Sequence, residues 1–163
     1  MAIPEIIKSI VEPWSSLYEG STALVGLTRF LHLAGLVFGG GAAISLDRAS
    51  IRAGREGAEF RTHHLAQLAR GHRVVVTGLA LIALSGVMML ASGLETFVTS
   101  WVFRAKMLLV LLLAANGYAM VRIERRLQPD APAGWKALAI ASRLSVVLWF
   151  GTVLAATVLV LVV

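Results

Sequence analysis

Four long stretches of this chain run with almost no polar side chain: residues 23–46, 74–93, 105–121 and 144–163. Each holds roughly 20 residues, enough at about 1.5 Å per residue to cross a hydrocarbon layer of roughly 30 Å. Backbone groups inside lipid must be satisfied within the protein, which leaves helices or closed barrels. A barrel strand alternates lipid-facing and lumen-facing positions, and these runs are continuous, so helices are expected. The fold class that follows is all-α: an integral membrane four-helix bundle, with helices over about 23–46, 73–93, 102–122 and 141–163. Almost every apolar residue is thereby assigned, so a single membrane domain over 1–163 is expected. Ahead of the first span, Ile3, Ile6, Ile7, Ile10, Val11 and Trp14 recur at helical spacing, with Glu5, Lys8 and Glu12 opposite. Pro4 suits a first helical turn and Pro13 an end, so residues 1–18 read as a short interfacial amphipathic helix. It lies on the outer membrane surface or packs across the mouth of the bundle.

The polar connections add an orientation. Eleven of the 15 Lys and Arg fall in two connections: Arg48, Arg52, Arg55, Arg61, Arg70 and Arg73 after the first span, and Arg122, Arg125, Arg126, Lys136 and Arg143 after the third. The positive-inside rule puts both connections in the cytoplasm and both termini outside, as in a bacterial inner membrane. The net charge of +6 is therefore a topology signal, and no nucleic-acid partner is expected. MAIPEIIKSIVEPW has no basic leader or continuous apolar core, so no cleaved signal is expected. Within the first connection, 50–57 is polar and glycine-containing, whereas EFRTHHLAQLARGH continues the second span as a helix into water. LQPDAPAG, residues 127–134, is the other evident break.

Chemistry narrows next. The chain has no cysteine, which excludes disulfides, thiolate metal sites and thiol catalysis. No phosphate-binding loop, dinucleotide fingerprint, Ser/His/Asp set or paired carboxylates appear. Two ionisable groups lie deep in the spans, where such groups are functional candidates. His32 lies about 12 Å down the first span and Lys106 about 8 Å down the similarly directed third. At 100° per residue, Gly39 and Ala43 fall below His32 on one line, with Gly35 and Leu36 flanking. Either a neighbouring helix approaches that bare strip closely, or a flat macrocycle lies against it with His32 as its axial ligand. His72 is a candidate for a second cofactor, but Arg70 and Arg73 pin it to the interface, roughly 18 Å in depth from His32. Lys106, Met88, Met89 or Met107 match the depth of His32 better. His63 and His64 read as solvated interface residues, and Asp47–Arg48 as ordinary termination of the first span.

The stretch FLHLAGLVFGGGAAISLDR, with His32, Gly41–Ala42 and Arg48, resembles the quinone-linked membrane protoporphyrinogen oxidases. SWVFRAKMLLVLLL, with Trp101 and Lys106, is similar to the signature that opens a later span in that family. Copper resistance protein D-like membrane domains, and bacterial families related to both, share the architecture, and an Asp-Arg ending to the first span looks closest to one of those related groups. The resemblance covers roughly 28–120. It implies b-type haem on His32 and porphyrin handling by Lys106 and Arg48. LVFGGGAAIS and AANGYAM stand where the oxidases carry an aromatic-rich segment and a further histidine, which points away from porphyrinogen oxidation itself.

Three functions are therefore expected, in this order. The first is a haem b electron-transfer protein or oxidoreductase with a quinone or porphyrin partner, its cofactor held by His32 with Lys106, Arg48, Gly39 and His72 as candidate contacts. The second is a non-catalytic subunit packing through glycine faces in a homo-oligomer or membrane complex. The third is copper handling through His32 and methionine, since thioethers select Cu(I).

Overall fold

A computed structural model describes residues 5–162, and all regular structure among them is helical. α1 covers Glu5–Glu19. α2 covers Thr22–Ala53, α3 Ala58–Ser92, α5 Trp101–Glu124 and α6 Pro132–Val162; these four are long and apolar enough to span a membrane. A short helix, α4, covers Leu94–Thr99 between α3 and α5. The molecule is an all-α membrane helix bundle, as the apolar pattern predicts. Ile3, Pro4 and Val163, included in the expected helices, lie outside the described residues.

Local chemistry sets the ends. Ser21 and Ser100 cap α2 and α5, each accepting from the amide three residues on, Leu24 and Phe103. Such caps satisfy donors that a helix start otherwise leaves free. α6 opens on Pro132, whose missing amide costs nothing in a first turn. It starts nine residues before the expected 141, because its first turns pack rather than enter lipid. α2 likewise runs past Asp47–Arg48 to Ala53. Pro13 does not end α1, which continues through it to Glu19. The turns beyond it are anchored: Trp14 Nε1 donates to the Met88 carbonyl at 2.9 Å and Ser15 Oγ to that of Ser92 at 2.7 Å.

α1 divides into three lengthwise stripes. Val11, Trp14, Ser15 and Tyr18 form the buried and half-buried side, with Trp14 and Ser15 on α3, Ile6, Ile10 and Leu17 are exposed, and Glu5, Ser9, Glu12, Ser16 and Glu19 form a polar stripe between them. A helix with one side on protein, one apolar and one polar suits a bundle rim at a lipid–water boundary. The Lys8 ammonium lies 2.6 Å from Glu95, which holds its pKa above the ordinary lysine range.

The spans form two antiparallel hairpins, α2–α3 and α5–α6, joined along a seam between the last part of α2 and α6. At this basic end, Ala53, Leu68, Trp135 and Leu138 make a core, with Phe60, Met120 and Ile123 packed around it. Toward the opposite end the first part of α2 stays with α3 and makes no extended backbone contact with α5 or α6. The parting lies near a single wide π turn, Leu36–Gly40. There α2 is pressed from two sides: a Cβ on Gly39 would lie 2.7 Å from the Gly78 Cα, and one on Gly40 3.2 Å from the Trp149 ring. Turns of this kind are rare and concentrate at functional positions in helices.

Candidate functional site

The glycine strip below His32 is a helix–helix seam. Residues 32, 39 and 46 of α2 meet Ser85, Gly78 and Gly71 of α3, three rungs seven residues apart on each helix. A Cβ on Gly78 would come within 2.3 Å of the Gly39 Cα, and one on Gly71 within 2.6 Å of Leu46 Cδ1. A Cβ on Gly35 would meet the Gly78 carbonyl oxygen at 2.9 Å. Of the two reasons for a bare strip, close helix approach is the one realised. Gly39 is therefore a packing residue covered by the α3 backbone, and a macrocycle has no room against it. The sequence of α2 alone could not separate the two, although the heptad Gly71, Gly78, Ser85 on α3 was the complementary signal.

His32 occupies the top rung. Its Nδ1 lies 3.0 Å from Ser85 Oγ, and the Ser85 hydroxyl donates to the Leu81 carbonyl. A hydroxyl has one proton to give. With that proton on Leu81, Ser85 accepts from His32 Nδ1–H, and the ring's lone pair falls on Nε2. The two ring nitrogens point in different directions, so Nε2 is aimed away from the α3 partner. Lys106 of α5 lies within electrostatic range of the ring, which meets the expectation from depth. Met107 beside it is exposed.

The other expected site residues are elsewhere. Arg48 is exposed, 16 residues and about 24 Å of helix below His32. His72 is exposed too, within electrostatic reach of Glu124 and about 20 Å along α3 from Ser85. A straight helix keeps such residues at separate depths, so neither joins His32 at one cofactor.

A second polar group, at the basic end, corrects two sequence readings. His64 is fully buried rather than solvated. Its Nε2 lies 2.9 Å from Ser50 Oγ, and its ring packs between Phe60 and Trp135, with centroids 6.4 and 6.2 Å away. Asp47 is buried as well and faces Ser142 and Ser145 of α6, rather than terminating its helix. Glu124 lies within electrostatic reach of it, and Asn116 donates to the Ala141 carbonyl at 3.0 Å nearby in the α5–α6 interface. Among the described residues, Asp47 Oδ2, His64 Nδ1 and Ser142 Oγ are buried and lie beyond hydrogen-bond distance of any partner. Buried polar atoms are nearly always paired, so three together set this region apart from ordinary packing. Ser142 and Ser145 at i and i+3 on α6, and Asp47 and Ser50 at i and i+3 on α2, were the available signals.

The chain was compared with protein-family models, with curated proteins and with solved structures, and it matches none of them. Among the described residues no three His, Asp or Glu side chains gather as a metal site.

Proposed function

We propose that this chain is a multi-pass protein of a bacterial inner membrane, its basic end in the cytoplasm, that binds b-type haem through His32 and serves electron transfer. The observation that supports it is the relay from His32 through Ser85 to the Leu81 carbonyl. Ligand histidines are typically held this way, with the second ring nitrogen donating so that the first keeps its lone pair for the metal. Haem iron held by an imidazole supplies one-electron chemistry, with a lipid-soluble quinone or a porphyrin as the class of redox partner. The residues fit an axial ligand, and they do not fit a macrocycle on the Gly35–Gly39 strip. The group would lie on the side of the ring away from Ser85, and Lys106 of α5, within electrostatic range of the ring, is the cation available to pair a carboxylate. Arg48 and His72 take no part.

Absorbance of protein purified from haem-supplied cells tests the proposal. A Soret band is expected, lost in His32→Ala and altered in Ser85→Ala, which frees the tautomer. Colourless wild-type protein, or an undiminished band in His32→Ala, would overturn it.

The seam favours a second reading: a non-catalytic membrane subunit in which His32–Ser85 is the polar rung of a glycine zipper. Interhelical hydrogen bonds of this type average about 0.6 kcal/mol. In that case His32→Ala lowers stability modestly and changes no spectrum.

A further inference from the structure

We propose that the groove between the end of α2 and the start of α6 holds the headgroup of an anionic phospholipid, bound by Arg55, Lys136 and Arg143. The groove encloses about 270 Å³, and its apolar walls are Ile51, Ala139 and Ile140. At its floor a Cβ on Gly54 would touch the Ala139 Cβ at 3.0 Å, so the two helices are in close contact there.

Its charge is uncompensated. Among the described residues the ion pairs are Lys8–Glu95 and Arg52–Glu56, so the acid nearest Arg55 in sequence is committed to Arg52. No carboxylate lines the groove. Three cations around one concavity repel one another until an anion joins them, and a phosphate accepts from all three.

Position identifies the source of that anion. Lys136 and Arg143 lie two turns apart on one face of α6, about 10 Å along the axis. The polar layer of one leaflet is roughly 5–8 Å thick, so the pair brackets a headgroup between water and hydrocarbon. From Arg143 onward the same face presents Val147, Phe150 and Leu154, all exposed. The groove is smaller than the roughly 300 Å³ at which small-molecule sites begin. It can therefore take a headgroup, whose acyl chains would lie along that apolar stripe. A free phosphate would have no use for the stripe. Basic pockets between spans at a membrane surface bind anionic lipid headgroups for these reasons.

Native mass spectrometry of the full chain from mixed micelles, with phosphatidylglycerol, phosphatidylcholine or inorganic phosphate as probe, tests the assignment. Retention of phosphatidylglycerol over phosphatidylcholine is expected, and R55Q/K136Q/R143Q should cut that preference at least about tenfold. R70Q/R73Q/R126Q removes the same charge outside the groove and should leave it unchanged. Arg143→Gln alone, at an exposed position, should lower the preference with the fold intact by circular dichroism. Equal retention of the two lipids, equal losses in the two triple variants, or retention of inorganic phosphate as strong as that of the lipid would each overturn the proposal.

Discussion

The two ends of this bundle are held together by different physics. At the basic end Trp135, Leu138, Ala53, His64, Ser50 and Ser142 are all fully buried, with side chains from all four spans around them. At the opposite end helices meet in pairs, and Leu27, Phe30, Leu33, Val37 and Phe38 of α2 are exposed. The basic end extends beyond the apolar cores of the spans, so water drives its apolar side chains inward as in a soluble domain. Lipid gives apolar side chains no reason to leave it, so the opposite end depends on close backbone approach and a few polar contacts. The same chain thus contains a core sensitive to lost volume and a seam sensitive to added volume.

Substitutions can separate the two. Trp135→Ala should have the largest effect, about 3–5 kcal/mol, because it empties the core and strands the Gln128 carbonyl that Trp135 Nε1 reaches at 2.9 Å. Thermal unfolding in detergent should show it, and a loss under about 1 kcal/mol would mean that the basic end is loosely packed. Gly78→Ala should come next, at about 1–3 kcal/mol from overpacking against Gly39. Gly117→Ala, where nothing lies within 4 Å of the added carbon, should be neutral or slightly stabilising. If the two alanines behaved alike, the seam would not be the close contact described.

Substitutions in the two polar pairs refine the comparison. Ser50→Ala should cost about 1–3 kcal/mol by removing the 2.9 Å partner of the buried His64 Nε2, and Ser50→Thr should recover part of it. Ser85→Ala, which breaks the corresponding pair in the lipid-facing half, should cost about 0.6 kcal/mol, or up to about 1.7. The reverse order would place the tighter polar contact at the opposite end. Lys8→Gln should have the least effect. Because Glu95 raises the folded-state pKa of Lys8, the stabilisation is present below the ordinary lysine range and fades only as pH rises through the raised value. Wild type and variant should therefore differ by a constant amount near neutrality and converge in strong alkali.

The His32 site was legible in part. A histidine amid apolar residues and a lysine at matching depth were both visible, and the structure places them within electrostatic range. The partner of the imidazole was not visible, since Ser85 lies 53 residues away. The basic-end group was harder to see. Asp47 beside Arg48, and His64 beside His63, look like interfacial polar residues in a linear reading, because neighbours on a helix point to different faces and only one of each pair is buried.

The amino-acid sequence by itself determined the number of spans, their helical character and the segregation of positive charge, because each depends on composition within one segment and on the need to satisfy backbone groups in lipid. Only the tertiary structure decided what covers each face: that α3 rather than a cofactor fills the glycine strip, that α2 and α6 part near the π turn, and that Asp47 and His64 are sealed inside. Those outcomes depend on which segments become neighbours. A periodic pattern marks the face of a helix that will be buried, and the atoms that bury it are contributed by another part of the chain.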